Sequence, residues 1–330
     1  MTTYKGIKGI SLQTVAGDPS NLLAGDIWYD NVAKKIQGAK IAAGTWASGA
    51  DVNTARSGKM SGGLTYDTAM IAGGADNSSP GDVTATELYN GTAWTEVNNP
   101  GEAHSQTCGA GSQTAAWMAT GTPGDKTSAE EWDGTNWANS NSCNGGQQQR
   151  GGSGPQTAAI MMGSEPHSNA VESYDGTSWT EIANTPTTIR GPECAGTNTA
   201  SILIGGDPPA SAQATETFDF NGTAFTAAAD MNTARFEFGS LGLTQDSCMA
   251  LGGTVDASGT TRTVNTEEYD GTSWTESANL DTISAQGDGA GTTVKGIFSH
   301  GITGPYPNGA YPVGTEEWTH GVAAVTFTSS

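Results

Sequence analysis

The octamer "YDGTSWTE" stands at Tyr174–Glu181 and recurs unchanged at Tyr269–Glu276. Its relatives are "LYNGTAWTE" (88–96), "EWDGTNWAN" (131–139), "DFNGTAFTA" (219–227) and a degenerate "EWTHGVAAV" (317–325), so one unit is written six times. The second aromatic falls at Trp94, Trp137, Trp179, Phe225 and Trp274, with gaps of 43, 42, 46 and 49 residues. A period of this size is one supersecondary unit, too small to bury a core alone and stable only when packed on its neighbours.

Within each unit Asn-Gly or Asp-Gly separates two alternating runs, the signal for a tight hairpin. A type I′ turn is expected, because both its central residues need positive φ. Upstream of each hairpin lies a second strand pair, such as "GLTYDTAMIAGG" (63–74) and "AGTNTASILIGG" (195–206). Continuous apolar runs such as "SILIGG" fit strands buried on both faces. Each unit therefore reads as four strands, with tight turns at one end and longer loops at the other. Radially arranged four-stranded units of this length make a β-propeller.

The combination of glycine doublet, Glu-x-aromatic, Trp and "NTAR" resembles the kelch repeat across residues 43–328. The resemblance implies an all-β fold: a six-bladed kelch-like β-propeller over residues 43–330, with a short N-terminal β-hairpin or extended arm over 1–42. Units four and six depart from the pattern, with Phe218 in the glutamate's place and no second Trp after Trp318. The strand around Trp46 matches the last strand of the other units yet precedes them all. It is expected to lie beside residues 314–328 and tie the ring shut; residues 322–328 are the other segment able to supply that outer strand.

A glutamate stands two residues before the first aromatic at Glu87, Glu130, Glu172, Glu267 and Glu316, which puts both side chains on one strand face. A buried carboxylate needs a partner. Arg56 and Arg235 of the two "NTAR" segments, with Arg150 and Arg190 in matching places, are the expected partners, bridging between blades.

With 330 residues and 35% apolar content the chain can bury a core, and its 47 glycines suit turn-rich β structure. A net charge of −21 argues against nucleic acid as a partner. No apolar run is long enough to span a bilayer, and the opening residues lack a secretory signal, so neither membrane insertion nor secretion is expected. Cys108, Cys143, Cys194 and Cys248 show no metal or redox spacing and read as free, partly buried thiols.

Catalysis finds little support. "SYDGTSW" is one residue short of a sialidase-type box, and copper-radical chemistry would need paired tyrosines and histidines. His104 and His167 fall in different units on the loop-bearing end, while His300 reads as strand and His320 as turn. The chain is expected to be no enzyme, with no cofactor and no metal.

The first 42 residues do not repeat. "GDPSNLLAGDIWYDNVAKKIQGAKI" (17–41) is similar to the opening module of bacteriophage tail-fibre and related virion proteins, and its continuation into kelch-like repeats resembles marine phage virion proteins of this layout. What the resemblance implies is a virion protein assembled in the host cytoplasm, present in multiple copies, and held to other virion proteins by Ile27, Trp28, Tyr29, Lys34 and Lys35. It would recognise a host surface glycan through the variable loops. Tyr306 and Tyr311, stiffened by neighbouring prolines, offer stacking faces, and His167 and Asp207 are polar candidates on the same loops. The alternative is a purely structural subunit, decorating the capsid or adapting the tail; an enzyme acting on surface sugars is a distant third.

Overall fold

The apolar runs become buried strands because both their faces are covered: Met70–Ala72 and Ala159–Met162 are buried at every residue, and Ala200–Ile204 at all but its first. The computed structural model describes residues 13–20, 23, 25–76, 81–209, 213–256, 259–304 and 309–327. Among these the chain is all-β, apart from one 3-10 turn at Tyr66–Thr68. It divides into two compact units: Thr45–Thr319, and the remainder, in which His320–Ser330 joins Met1–Gly44. The C-terminal segment thus belongs with the arm rather than with the repeats.

Among the described residues the repeats form six sheets, antiparallel within each repeat. The first contains Met60–Gly62, Met70–Ala72, Thr86–Tyr89 and Trp94–Glu96, hydrogen-bonded in that order. The next four repeat this plan across residues 108–139, 151–189, 193–227 and 239–276. The sixth holds Asp288–Gly291, Lys295–Ser299 and Thr315–Thr326, and its next strand is Lys35–Ser48, from the opposite end of the sequence. The architecture is propeller-like. First strands of successive sheets lie against one another in turn, and Asp288–Gly291 lies against Met60–Gly62.

Each sheet pairs its two aromatics across the third and fourth strands. Ring centroids are 5.0 Å apart for Tyr89–Trp94, 5.6 Å for Trp132–Trp137, 4.8 Å for Tyr174–Trp179, 4.7 Å for Phe220–Phe225 and 5.1 Å for Tyr269–Trp274. Unit six lacks the second aromatic, and Trp46 replaces it 5.1 Å from Trp318. The Gly49 N–H donates to Thr315 O at 2.8 Å and the Val52 N–H to Val313 O at 2.8 Å, so the strand of Trp46 lies where its sequence placed it.

The hairpin turn differs from expectation. Paired Tyr89 and Trp94 enclose four residues, and only Gly91 has positive φ, at +86°. Asn90 stays in the ordinary region because its Oδ1 accepts the N–H groups of Thr92 and Ala93 at 3.0 and 2.9 Å. Asp133, Asp175, Asn221 and Asp270 do the same, so the Asx side chain caps the loop and no type I′ turn forms.

In the arm unit, Ile27–Asp30 pairs antiparallel with Lys35–Ser48 as a hairpin, and Gln13–Val15 runs parallel beside it. Asp30 Oδ1 accepts the N–H groups of Gly17, Val32 and Ala33, which pins the turn.

Replacing Trp46 with alanine removes the partner ring of fully buried Trp318. Chemical denaturation is expected to show a loss of about 3 kcal/mol, the low end for aromatic truncation because Trp46 is only half-buried. An unchanged midpoint would show that the sixth sheet does not need this strand.

Candidate functional site

The five glutamates converge on one construction. Glu87 accepts the backbone N–H groups of Asn53 and Thr54 at 2.6 and 3.1 Å, and pairs with the Arg56 guanidinium at 3.0 Å. Glu267 takes those of Asn232 and Thr233 at 2.6 and 3.0 Å, with Arg235 at 2.5 Å. Glu172 takes Asn144 and Gly145, with Arg150 at 2.6 Å. Each carboxylate is thus stapled to the segment that enters its own sheet. The expected bridging between neighbouring sheets is corrected: both partners of each pair belong to one sheet, since the arginine precedes the first strand and the glutamate sits on the third.

Adjacent sheets are tied by other groups. Gln113 Nε2 donates to Ala69 O and Tyr89 O at 2.8 and 2.6 Å, and Gln156 Nε2 to Ala116 O and Trp132 O at 2.9 and 3.2 Å. Tyr89 donates its hydroxyl to Glu317 at 2.5 Å, which links the first sheet to the sixth.

Two glutamates use histidine instead. His104 occupies the arginine's place in the second sheet, fully buried, with Nδ1 2.7 Å from Thr120 O and Nε2 3.7 Å from Glu130. Burial would raise the Glu130 carboxyl, but His104 and the N–H groups of Gly101 and Glu102 outweigh it and hold the group below its ordinary value. Glu316 accepts from Asp281 and Thr282 and pairs with His300 Nε2 at 3.0 Å. His300 follows the strand Lys295–Ser299 rather than lying in it, and His320 is within Thr315–Thr326 rather than in a turn. All four cysteines are free and fully buried rather than partly so.

Arg190 breaks the pattern. It does not stand in the matching place the sequence suggested: it shares the register of Ser57, Ser105 and Phe236, and Ile189 fills the arginine's place. Its guanidinium faces the loops, where Nε pairs with Asp207 at 2.6 Å and Nη1 with Glu165 at 3.1 Å. His167 Nε2 lies 3.8 Å from the same Asp207 carboxylate. The structure therefore brings His167 and Asp207 together and adds Arg190 and Glu165, which the sequence reading had not placed there. Arg190, His167 and Glu165 keep roughly a third of their side-chain surface open, and the guanidinium stands 5.5 Å from the Phe236 ring centroid. Burial works to lower the Arg190 pKa, yet Asp207 and Glu165 hold it above the ordinary value.

Tyr311 is half-buried, and Tyr306 lies outside the described residues. In the arm, Trp28 is buried within the chain while Ile27, Lys34 and Lys35 are exposed and Tyr29 half-buried. Trp28 is therefore not an available contact. A cavity of about 420 Å³ lies among the first strands of the six sheets. No group of three metal-ligating side chains occurs among the described residues.

Two substitutions separate the staples from the loop cluster. Glu267→Ala strands Arg235, which is fully buried, and is expected to cost about 3–5 kcal/mol in chemical denaturation. Arg190→Ala removes a part-exposed pair and is expected to cost about 1 kcal/mol or less; equal losses would refute the distinction. Compared with known proteins, the chain matches no family model and no curated protein.

Proposed function

We propose that the chain is a six-bladed kelch-like propeller serving as a bacteriophage virion protein, and that its loops recognise a glycan on the host surface. The six sheets are the blades. Supporting this ring are the succession of first strands from Met60–Gly62 round to Asp288–Gly291, the Tyr89–Glu317 hydrogen bond, and the strand of Trp46 completing the last sheet. The observation that carries the recognition role is the part-exposed cluster of Arg190, Asp207, Glu165 and His167, gathered from loops of two sheets. A guanidinium held in plane by carboxylates presents donors and acceptors side by side, which suits vicinal hydroxyls.

The arm is the attachment element. Its small unit leaves Leu23, Ile27, Val32, Ile36 and Ile41 exposed, an apolar load that a partner surface would cover. Lys34 and Lys35 stand in the same hairpin and would face acidic surface of another virion protein.

Purified protein is expected to bind host cells saturably. Arg190→Ala should weaken binding about tenfold, the worth of one charged hydrogen bond, and Tyr311→Ala should weaken it by removing a stacking face, with the melting temperature nearly unchanged in both. A chain lacking residues 1–34 should fold and bind cells but fail to enter particles. Incorporation into particles without any cell binding would instead establish the purely structural role.

A further inference from the structure

Six equivalent backbone positions, one at the entry of each sheet, adopt φ between +49° and +58°: Gly58, Gln106, Gln149, Gly191, Glu237 and Gln286. Glycine reaches this region freely, whereas any other residue gives up about 1–2 kcal/mol. Four of the six nevertheless carry Gln or Glu, residues without the special tolerance of Asn or Asp for this conformation. Their side chains therefore have a use that outweighs the strain.

All six line the mouth of the cavity. They are joined by backbone hydrogen bonds, with Gln149 N donating to Gln106 O, Gly191 N to Gln149 O, Gln286 N to Glu237 O and Gly58 N to Gln286 O at 2.7–3.1 Å. Glu237 Oε1 accepts from Gln149 Nε2 at 3.1 Å and Gln286 Nε2 at 2.8 Å. The remaining amide oxygen of Gln149 is buried without a partner. Two residues further along their strands, about 7 Å deeper, Glu193 and Asp288 line the same cavity, and Ser240 donates to Glu193 at 3.0 Å. Ser153, only 6% exposed, lines it too, and its hydroxyl has no partner.

The wall is thus rich in acceptors and poor in free cations. Arg150 lines the cavity but spends its guanidinium on Glu172, and Lys59 donates to the carbonyls of Arg56, Ser299 and His300 at 3.1–3.4 Å. Among the described residues no cationic nitrogen lies within 4.0 Å of Glu193, Glu237 or Asp288. Burial pushes the Glu193 and Glu237 carboxyls up, and that of Asp288 to about 6 even though the buried Lys59 amine opposes the rise there. A positive charge entering the cavity would relieve all three.

We propose that this cavity binds a small linear polyamine, with one ammonium group against Glu237 and the amide ring at the mouth and another against Glu193 and Asp288 below. The carboxylates stand at two depths and do not converge as metal ligands do, which favours an extended cation over a single ion. The chain's net charge of −21 also draws cations toward it. This inference is independent of the host-recognition reading.

The test is calorimetric titration of the full chain with spermidine at physiological ionic strength, where diffuse attraction is screened. One saturable site is expected, weakened at least tenfold in both Glu237→Gln and Glu193→Gln and unchanged in Glu181→Gln on the exposed surface. Absence of a saturable site overturns the proposal, as does affinity unchanged from the parent chain in the two cavity variants, an equal loss in the surface variant, or displacement by equimolar magnesium. Both cavity substitutions neutralise carboxyls that burial already disfavours as charged, so folding should survive; should one variant fail to fold, the other decides.

Discussion

The buried carboxylate on the third strand is the constraint around which five of the six sheets are organised. A propeller-like sheet must receive its chain from the preceding sheet through a segment with no regular partners, and that segment's N–H groups need acceptors once buried. Glu87, Glu130, Glu172, Glu267 and Glu316 supply them, two N–H groups apiece. The arginine or histidine beside each carboxylate offsets the desolvation of the charge; it is a consequence of burying the acceptor, not the reason for it. This explains why arginine, histidine from the same segment and a histidine that follows the second strand all serve, while the backbone contacts recur at every glutamate.

The aromatic pair depends on the same geometry. Glu87 and Tyr89 point to one strand face, so the staple that fixes the entering segment also fixes the ring against which Trp94 packs. Asn53 Nδ2 joins the two features by donating both to Glu87 and to Trp94 O, and Asn144 and Asn232 repeat the bond. In the sixth sheet the fourth strand comes from far away in sequence. The Trp46–Trp318 contact then joins the two ends of the repeat region, and its loop-closure cost is met once for the whole array rather than once per unit.

Much of this was legible in the sequence because it is periodic. The strand count per unit, the Glu-x-aromatic face and the place of Trp46 all follow from spacing, which side-chain alternation converts directly into geometry. What was not legible is whatever depends on which strand a side chain faces across a turn. Spacing puts Arg56 near some glutamate but does not distinguish its own sheet from the next. His104 was hidden because "GEAH" shares only its alanine with "NTAR", although it occupies the same register. The Asx-capped loop was misread because Asn-Gly signals both kinds of turn, and the choice lies in the φ of the first residue. The ring of Gln106, Gln149, Glu237 and Gln286 carried no signal at all, since positive φ at these residue types is visible only in coordinates.

The departures from the repeat are where chemistry becomes available. An arginine held by its staple glutamate is fully buried and can do nothing else, as Arg56 and Arg235 show. The fourth sheet has Phe218 for that glutamate and buried Ile189 in the register of Arg56 and Arg235, while Arg190, one residue further on, faces the loops, where Asp207 and Glu165 pair it at a part-exposed position. The fourth sheet thus places an apolar pair, Phe218 and Ile189, where the first, second and fifth sheets place a glutamate and its arginine or histidine, and its own cation lies at the surface without any charge left unpaired. The same logic applies at the mouth of the cavity, where Gly58 and Gly191 satisfy the backbone at no cost and four side chains are retained despite it. In a fold built from copies, positions that break the pattern at an energetic cost are those where the fold itself does not dictate the residue.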